Sequence, residues 1–239
     1  MAAPSAARTR MRPERYAAPP EGAPERVGEG VWRVTGGSFP SNAYLCANPD
    51  GDFVVDPGLD PARIDRAARG LGLTPRRVVC THGHFDHIGG ASHFQTAYGA
   101  EVFLHQADLK TAKSSNFLLM VVKLADRITL PQLTLVDPAA PPAGLPVRWL
   151  PVPGHTPGSS FLRFGAHLFT GDSLYARGVG LSDLPGENHG LLRQSLLALW
   201  DEIGDETLVH PGHGPSARFA DINASNRALA DFLAAGADR

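Results

Sequence analysis

A ten-residue run, Thr81-His82-Gly83-His84-Phe85-Asp86-His87-Ile88-Gly89-Gly90, restricts what this chain can become more than any other part of it. It puts four ligand-type side chains into six consecutive positions, directly after Arg76–Cys80, which reads as a β-strand. Two apart on extended backbone, His82 and His84 project to the same side, while Asp86 and His87 fall where the chain turns into a helix. One segment therefore serves two adjacent metal ions. A polar loop with ordinary histidines is the bland alternative, and the density of ligand types makes it the weaker one.

Three more candidates recur at predicted strand ends, each next to glycine that lets backbone approach an ion: Gly154-His155-Thr156-Pro157-Gly158, Thr170-Gly171-Asp172-Ser173 and His210-Pro211-Gly212-His213-Gly214. Singly each is a common loop sequence, but in this order after the first cluster they form a pattern. Around them, β-like runs at 31–35, 43–47, 53–55, 76–80, 101–104, 147–152, 161–164, 167–170 and 207–209 alternate with helical spacing at 61–70, 91–98, 106–113, 117–127, 190–203 and 221–234. The Pro-rich stretch 137–146 is expected to join two halves of one domain spanning 27–239. Residues 1–26, rich in Ala, Pro and Arg with no apolar period, read as a disordered tail.

Composition narrows the function. The 239 residues are 43% hydrophobic, enough for a sizeable core, and the net charge of −2 supplies no field that would draw in nucleic acid or an anionic membrane. The longest apolar stretch, 117–124, is interrupted by Lys123 and is far short of the roughly 20 residues a membrane helix needs. It reads as core or as a face for a homodimer, with the wall of an acyl pocket as the competing reading. No secretory signal is expected, and two cysteines, Cys46 and Cys80, fit a reducing compartment; the expected location is the cytoplasm. Cys80, just before the cluster, reads as a core thiol rather than a nucleophile.

With these motifs in view, the chain resembles the metallo-β-lactamase superfamily from about Val31 to Pro215, and within it the glyoxalase II type of hydrolase. The resemblance implies an α/β fold, a four-layer αββα sandwich with the metal loops along one edge between two sheets. It further implies His82, His84 and His155 on one metal, Asp86, His87 and His213 on the other, and Asp172 between them, with Asp56 of Val-Val-Asp-Pro-Gly behind the site. Imidazole and carboxylate ligands without thiolate suit Zn²⁺ first and also Fe or Mn. Two such ions can hold a bridging water, bring its pKa to about 7 and polarise a scissile carbonyl, with Asp86 holding a metal and handling the water's proton.

Departures within the superfamily separate its branches. Penicillin-hydrolysing members commonly carry a cysteine or no ligand where this chain has Asp172, and nuclease members carry an extra domain or a basic RNA-gripping arm, so both are disfavoured. Thioester hydrolases of the glyoxalase II type are similar over 170–189, although Leu181 replaces their usual arginine and the 25 residues after Gly214 are too few for a glutathione-binding helical domain. The expected function is hydrolysis of a small thioester or ester by a metal-bridging hydroxide. A lactonase of the acyl-homoserine type is the first alternative, because Tyr175 matches an active-site tyrosine whose phenol can donate to a developing oxyanion. A persulfide dioxygenase with one iron is the second, since Arg177 matches its arginine, although His213 completes a second site that such an enzyme does not need. Arg177 and His189 are expected to touch substrate, the only partner expected besides a second copy of the chain, while His93, His105, His167 and His210 read as structural or surface groups.

Overall fold

Apolar side chains take turns between the two faces of each strand, and this alternation sorts the molecule into layers. The computed structural model describes residues 23–182, 184 and 186–235. Its first sheet runs in sequence order: β1 (Glu25–Gly28), β2 (Val31–Gly36), β3 (Ser41–Cys46), β4 (Phe53–Val55), β5 (Arg77–Val79), β6 (Glu101–His105) and β7 (Leu133–Val136). The pairings from β1 to β4 are antiparallel and those from β4 to β7 parallel. A second sheet orders β12 (Ala217–Arg218), β11 (Leu208–Pro211), β10 (His167–Gly171), β9 (Ser160–Phe164) and β8 (Arg148–Pro151), with β10 and β11 parallel and the other pairs antiparallel.

On β3, Tyr44 and Cys46 point between the sheets and Ala43 and Leu45 point outward; on β9 and β10, Leu162 and Phe169 point inward and Phe161 and Leu168 outward. The inward set, with Phe53, Val55, Val79, Phe103 and Trp149, forms the layer between the sheets. Outside the first sheet the apolar face is covered by α1 (Pro61–Gly70) and α3 (Ala91–Tyr98), which contribute Ile64, Ala68, Ala91 and Phe94. Outside the second it is covered by α6 (His189–Leu199), α7 (Phe219–Ser225) and α8 (Arg227–Ala234), through Leu192, Leu196, Phe219, Ile222 and Leu229. This is the four-layer αββα sandwich. Each fully buried Leu or Phe of these layers contributes about 1.5–3 kcal/mol.

Some boundaries differ from the sequence reading for local reasons. Glu25 and Arg26, placed in the tail, pair with Arg33 and Trp32 in β1; residues 1–22 of that tail lie outside the described residues. Strands β1, β7 and β12 were not foreseen, being four residues or fewer at sheet edges. The helix expected over 106–113 begins as a 3₁₀ turn, Gln106–Asp108, before α4 (Leu109–Lys113). The helix expected over 117–127 is α5 (Ser115–Val121), stopped by Lys123, whose φ of 62° lets Leu124 N–H bond back to Leu119. Leu118 and Leu119 pack on Phe85, while Phe117, Met120 and Val121 are exposed, so 117–124 is partly core and partly surface. The helix expected over 221–234 breaks at Asn226, whose Oδ1 accepts from the Leu229 and Gly178 N–H groups and whose Nδ2 donates to the carbonyls of Tyr175 and Gly178. No helix of the described residues is long and apolar enough to cross a membrane.

Two histidines sit inside the sandwich. His167 Nε2 lies 3.2 Å from the Glu29 carbonyl, its Nδ1 2.9 Å from His210 Nε2, and His210 Nδ1 2.9 Å from Ser216 Oγ. Burial first, then the charges of His167 and Arg33, push the His210 pKa down to about 3. The unfolded chain binds a proton there near pH 6.5 and the folded protein does not, so stability must fall as pH drops from about 6.5 toward 3, by up to about 1.4 kcal/mol per pH unit. His210→Gln is expected to flatten the plot of unfolding free energy against pH by up to one proton across that window. A slope identical to wild type would remove His210 from the account.

Candidate metal centre

All the ligand-type residues stand at one end of the sandwich because each follows the C-terminal end of a strand. Asp56 follows β4, the 81–88 segment follows β5, His155 follows β8, Asp172 follows β10 and His213 follows β11. Hydrogen bonds stitch the two sheets together at this end: Ser160 N–H donates to Thr81 O at 3.0 Å, Asn42 N–H to Gly212 O at 2.7 Å and Tyr44 Oη to Pro211 O at 2.6 Å. Only glycine fits at 212, since a Cβ there would overlap Asp172 Oδ1 and the His87 ring.

The side chains form two groups, His82 with His84 and His155, and Asp86 with His87, Asp172 and His213, each with donor atoms close enough to hold one ion. In the first, His84 Nδ1 lies 3.1 Å from His82 Nε2 and 3.0 Å from His155 Nε2. Nitrogens around a tetrahedral ion at 2.0–2.1 Å stand about 3.3 Å apart, so the three are already near the edges of one coordination polyhedron. In the second, His213 Nε2 lies 3.2 Å from Asp86 Oδ2 and 3.4 Å from Asp172 Oδ2, and His87 Nε2 lies 3.3 Å from Asp172 Oδ1. Asp172 Oδ2 is also 3.7 Å from His155 Nε2, so this carboxylate faces both groups.

All seven are buried, and His87 Nε2 and Asp172 Oδ1, 3.3 Å apart, have no partner outside the centre. A buried lone pair left in that state is costly unless a cation takes it, so the donor set fits divalent ions. Charge divides the groups. Burial, then the neighbouring imidazoles, lowers His84 to about 3 and His82 well below the usual histidine range, which leaves both neutral with lone pairs to give. In the second group burial works the other way on each residue but is outweighed. The imidazoles hold Asp86 and Asp172 below the carboxylate range, and Asp172 and Asp86 raise His213 to about 10 and His87 well above its usual value. Two ionised carboxylates packed among histidines demand positive charge, from protons or from a metal.

Outer partners set the tautomers. Asp56, at a φ of 50°, accepts from Thr81 N–H at 2.8 Å and Thr81 Oγ at 2.6 Å, and lies 2.9 Å from His87 Nδ1. His87 therefore donates through Nδ1 and keeps its Nε2 lone pair for the centre. Thr81 Oγ, its proton committed to Asp56, is left to accept from His82 Nδ1 at 3.1 Å, and His213 Nδ1 donates to Pro40 O at 2.7 Å.

The sequence-predicted residues fall into two sets. The seven ligand candidates and Asp56 come together; Tyr175 is buried under Gly180, whereas Arg177 is exposed. His189 is also exposed and lies at the edge of an open cavity of about 460 Å³ lined with Ser182, Leu184, Glu187 and Asn188. Three residues were missed. Phe39 lies edge-on to His213 and Phe85 and gives the second group an apolar wall. Glu187 lies against His155. Asp108, fully buried, accepts from Gly83 N–H, Gly158 N–H and Thr156 Oγ at 2.7 Å each, clamping the His82–His84 segment to the His155 loop. Its sequence signal was only that of a helix-start aspartate.

A buried two-group histidine and aspartate centre at one edge of an αββα sandwich defines a metal-dependent hydrolase scaffold. Residues 36–234 match the metallo-β-lactamase superfamily, and the chain belongs to it. It is 30% identical over 194 residues to the probable metallo-hydrolase YqgX of Bacillus subtilis, covering 77% of this chain and 89% of that protein. It is 35% identical over 180 residues to a hydroxyacylglutathione hydrolase of Anaeromyxobacter dehalogenans, covering 74% of this chain and 64% of that protein. Among solved structures it superposes on TTHA1623 in a di-iron-bound form with a TM-score of 0.74 and 32% identity, over 82% of this chain and 98% of that one.

Removing the Asp108 carboxylate strands two buried N–H groups at about 1–3 kcal/mol each. Asp108→Ala is therefore expected to lower unfolding stability by about 2–6 kcal/mol and to weaken metal retention, read by denaturant titration and chelator competition. Wild-type values in both would show that the clamp does not organise the two loops.

Proposed function

We propose that this chain is a binuclear metallo-hydrolase acting on a small thioester or ester. The observation that carries the reading is Asp172, a carboxylate facing both groups at once, with His213 supplying the last donor of the second. Two divalent ions, with Zn²⁺ the proposed native metal and Fe or Mn alternatives, supply a hydroxide nucleophile and polarise the carbonyl under attack. The chain's own residues do the rest. His82, His84 and His155 bring three imidazole donors, while Asp86 and Asp172 bring the negative charge that offsets repulsion between two cations. Asp56 and Thr81 hold two of the imidazoles in the donor tautomer. Asp86, 3.2 Å from His213 Nε2, is placed to take the proton released as water becomes hydroxide.

Neither cysteine competes for the role of nucleophile. Cys46 and Cys80 are fully buried, and burial raises both thiols well above their usual range. Their free, reduced state fits the cytoplasm proposed as location. Substrate is proposed to enter by the cavity at 182–189 and to lay its acyl part on Phe39.

Leaving-group chemistry selects the bond. A thiolate departs with a conjugate-acid pKa near 8.5 and needs no proton, whereas an amide nitrogen does. The hydrolase name of the Anaeromyxobacter relative supports a thioester. A lactonase is the second reading, on the position of Tyr175 three residues after Asp172. A one-iron dioxygenase leaves the complete second group without a use.

A panel of thioesters and lactones on metal-reconstituted protein tests these readings. Thioesters are expected to lead, with Asp86→Ala lowering kcat by at least about a hundredfold while the unfolding midpoint stays within a few degrees. Tyr175→Phe separates the two: a loss of tenfold or more in kcat/KM confined to lactones establishes the lactonase. Amide hydrolysis faster than both, or an Asp86→Ala variant that keeps its metal and wild-type turnover, would contradict the proposal.

A further inference from the structure

One carboxylate beside the centre belongs to no motif. Glu187 lines the cavity with Ser182, Leu184, Asn188 and His189, and its side chain is 2% exposed. Its Oε2 accepts from the Ser182 N–H at 2.9 Å and from the Ser182 hydroxyl. Its Oε1 has no hydrogen-bond partner and faces His155 Nδ1 at 3.8 Å, an atom that is buried and equally without one. On its other side His189 Nε2 lies at 3.5 Å. Two mutually facing, buried and unpartnered polar atoms are costly as they stand and cheap once they meet.

Chemistry says when they meet. His155 turns Nε2 toward His84 Nδ1 at 3.0 Å and Asp172 Oδ2 at 3.7 Å. An imidazole that gives its Nε2 lone pair to a cation must carry its proton on Nδ1, and here that proton points at Glu187. His82, His87 and His213 each have an outer acceptor in hydrogen-bond contact, in Thr81, Asp56 and Pro40 O; for His155 a movement of about 1 Å supplies the same contact. The His82, His84 and His155 group also contains no carboxylate, so one a ring away offsets part of the ion's charge.

We infer that Glu187 is the positioning residue of His155: it accepts the Nδ1–H, fixes ring and tautomer, and ties Ser182 on the cavity rim to the ion held by His82, His84 and His155. The inference rests on the two-ion reading above and deepens it. Substrate enters past the same rim, which is firm when that ion is in place.

The test follows chelator-driven release of metal from zinc-loaded protein. Glu187→Ala is expected to release the ion of the His155 group about 10–100-fold faster, leave the other phase unchanged, and speed amide exchange at Ser182. Glu187→Gln keeps an acceptor oxygen and is expected within a few-fold of wild type. If Glu187→Ala does not fold, Glu187→Gln carries the test alone: loss of acceptor charge should move the His155 ring-proton resonance of the zinc-loaded protein upfield. Release of both ions at wild-type rates, equal quickening of both, or an unmoved resonance in Glu187→Gln would overturn the inference. Turnover is not read, so failure of the hydrolase reading shows separately in the substrate panel.

Discussion

The arrangement depends on one buried carboxylate. Asp172 stands between three imidazoles on one side and a carboxylate with two imidazoles on the other, and it is within 3.7 Å of His87, His155 and His213. Low dielectric makes its charge expensive alone and effective when paired, so the surrounding groups are sorted by it. Histidines distant from the carboxylates are driven neutral, and those beside them are drawn toward the proton. The outcome is that His82 and His84 are neutral donors beside a charged group, with Asp172 along the shared edge.

Holding that carboxylate in place is a task for both sheets. Its strand, β10, belongs to the second sheet, whereas His82, His84, Asp86 and His87 extend from the first. The stitches at this end come from residues with no ligand role: Asn42 and Tyr44 on the β11 turn, Thr81 on Ser160, Asp108 across two loops and Asn226 under the segment after Tyr175. Each links residues far apart in sequence, so the site exists only when the sandwich has closed. Stability and metal binding are thereby coupled, as expected where a preformed site is absent from the unfolded chain.

That also explains which parts were legible in the sequence. The metal loops could be read because each is a short motif of ligand types at strand ends, and the layer order was expected only through the family resemblance those motifs carry, since β3, β4 and β10 are buried on both faces and show no polar alternation. Asp108, Glu187 and Phe39 could not be read that way. Asp108 sits 25 residues from Gly83 and 50 from Gly158, and Glu187 meets His155 across 32 positions, so nothing local marks either residue. The broken helix at Asn226 shows tertiary demand overriding propensity: a side chain needed to hold the Tyr175–Gly178 backbone interrupts an otherwise continuous apolar period.

The central claim is that Asp172 is shared by two ions in one centre. Elemental analysis of protein purified without chelator, and again after equilibration with excess zinc, measures it most directly. Two equivalents per chain are expected for the wild type, falling to about one in Asp172→Asn with the fold intact, because the remaining donors of the second group no longer offset the charge of a second cation. A wild type that holds a single equivalent even in excess metal, or an Asp172→Asn variant that still retains two tightly, would contradict the account.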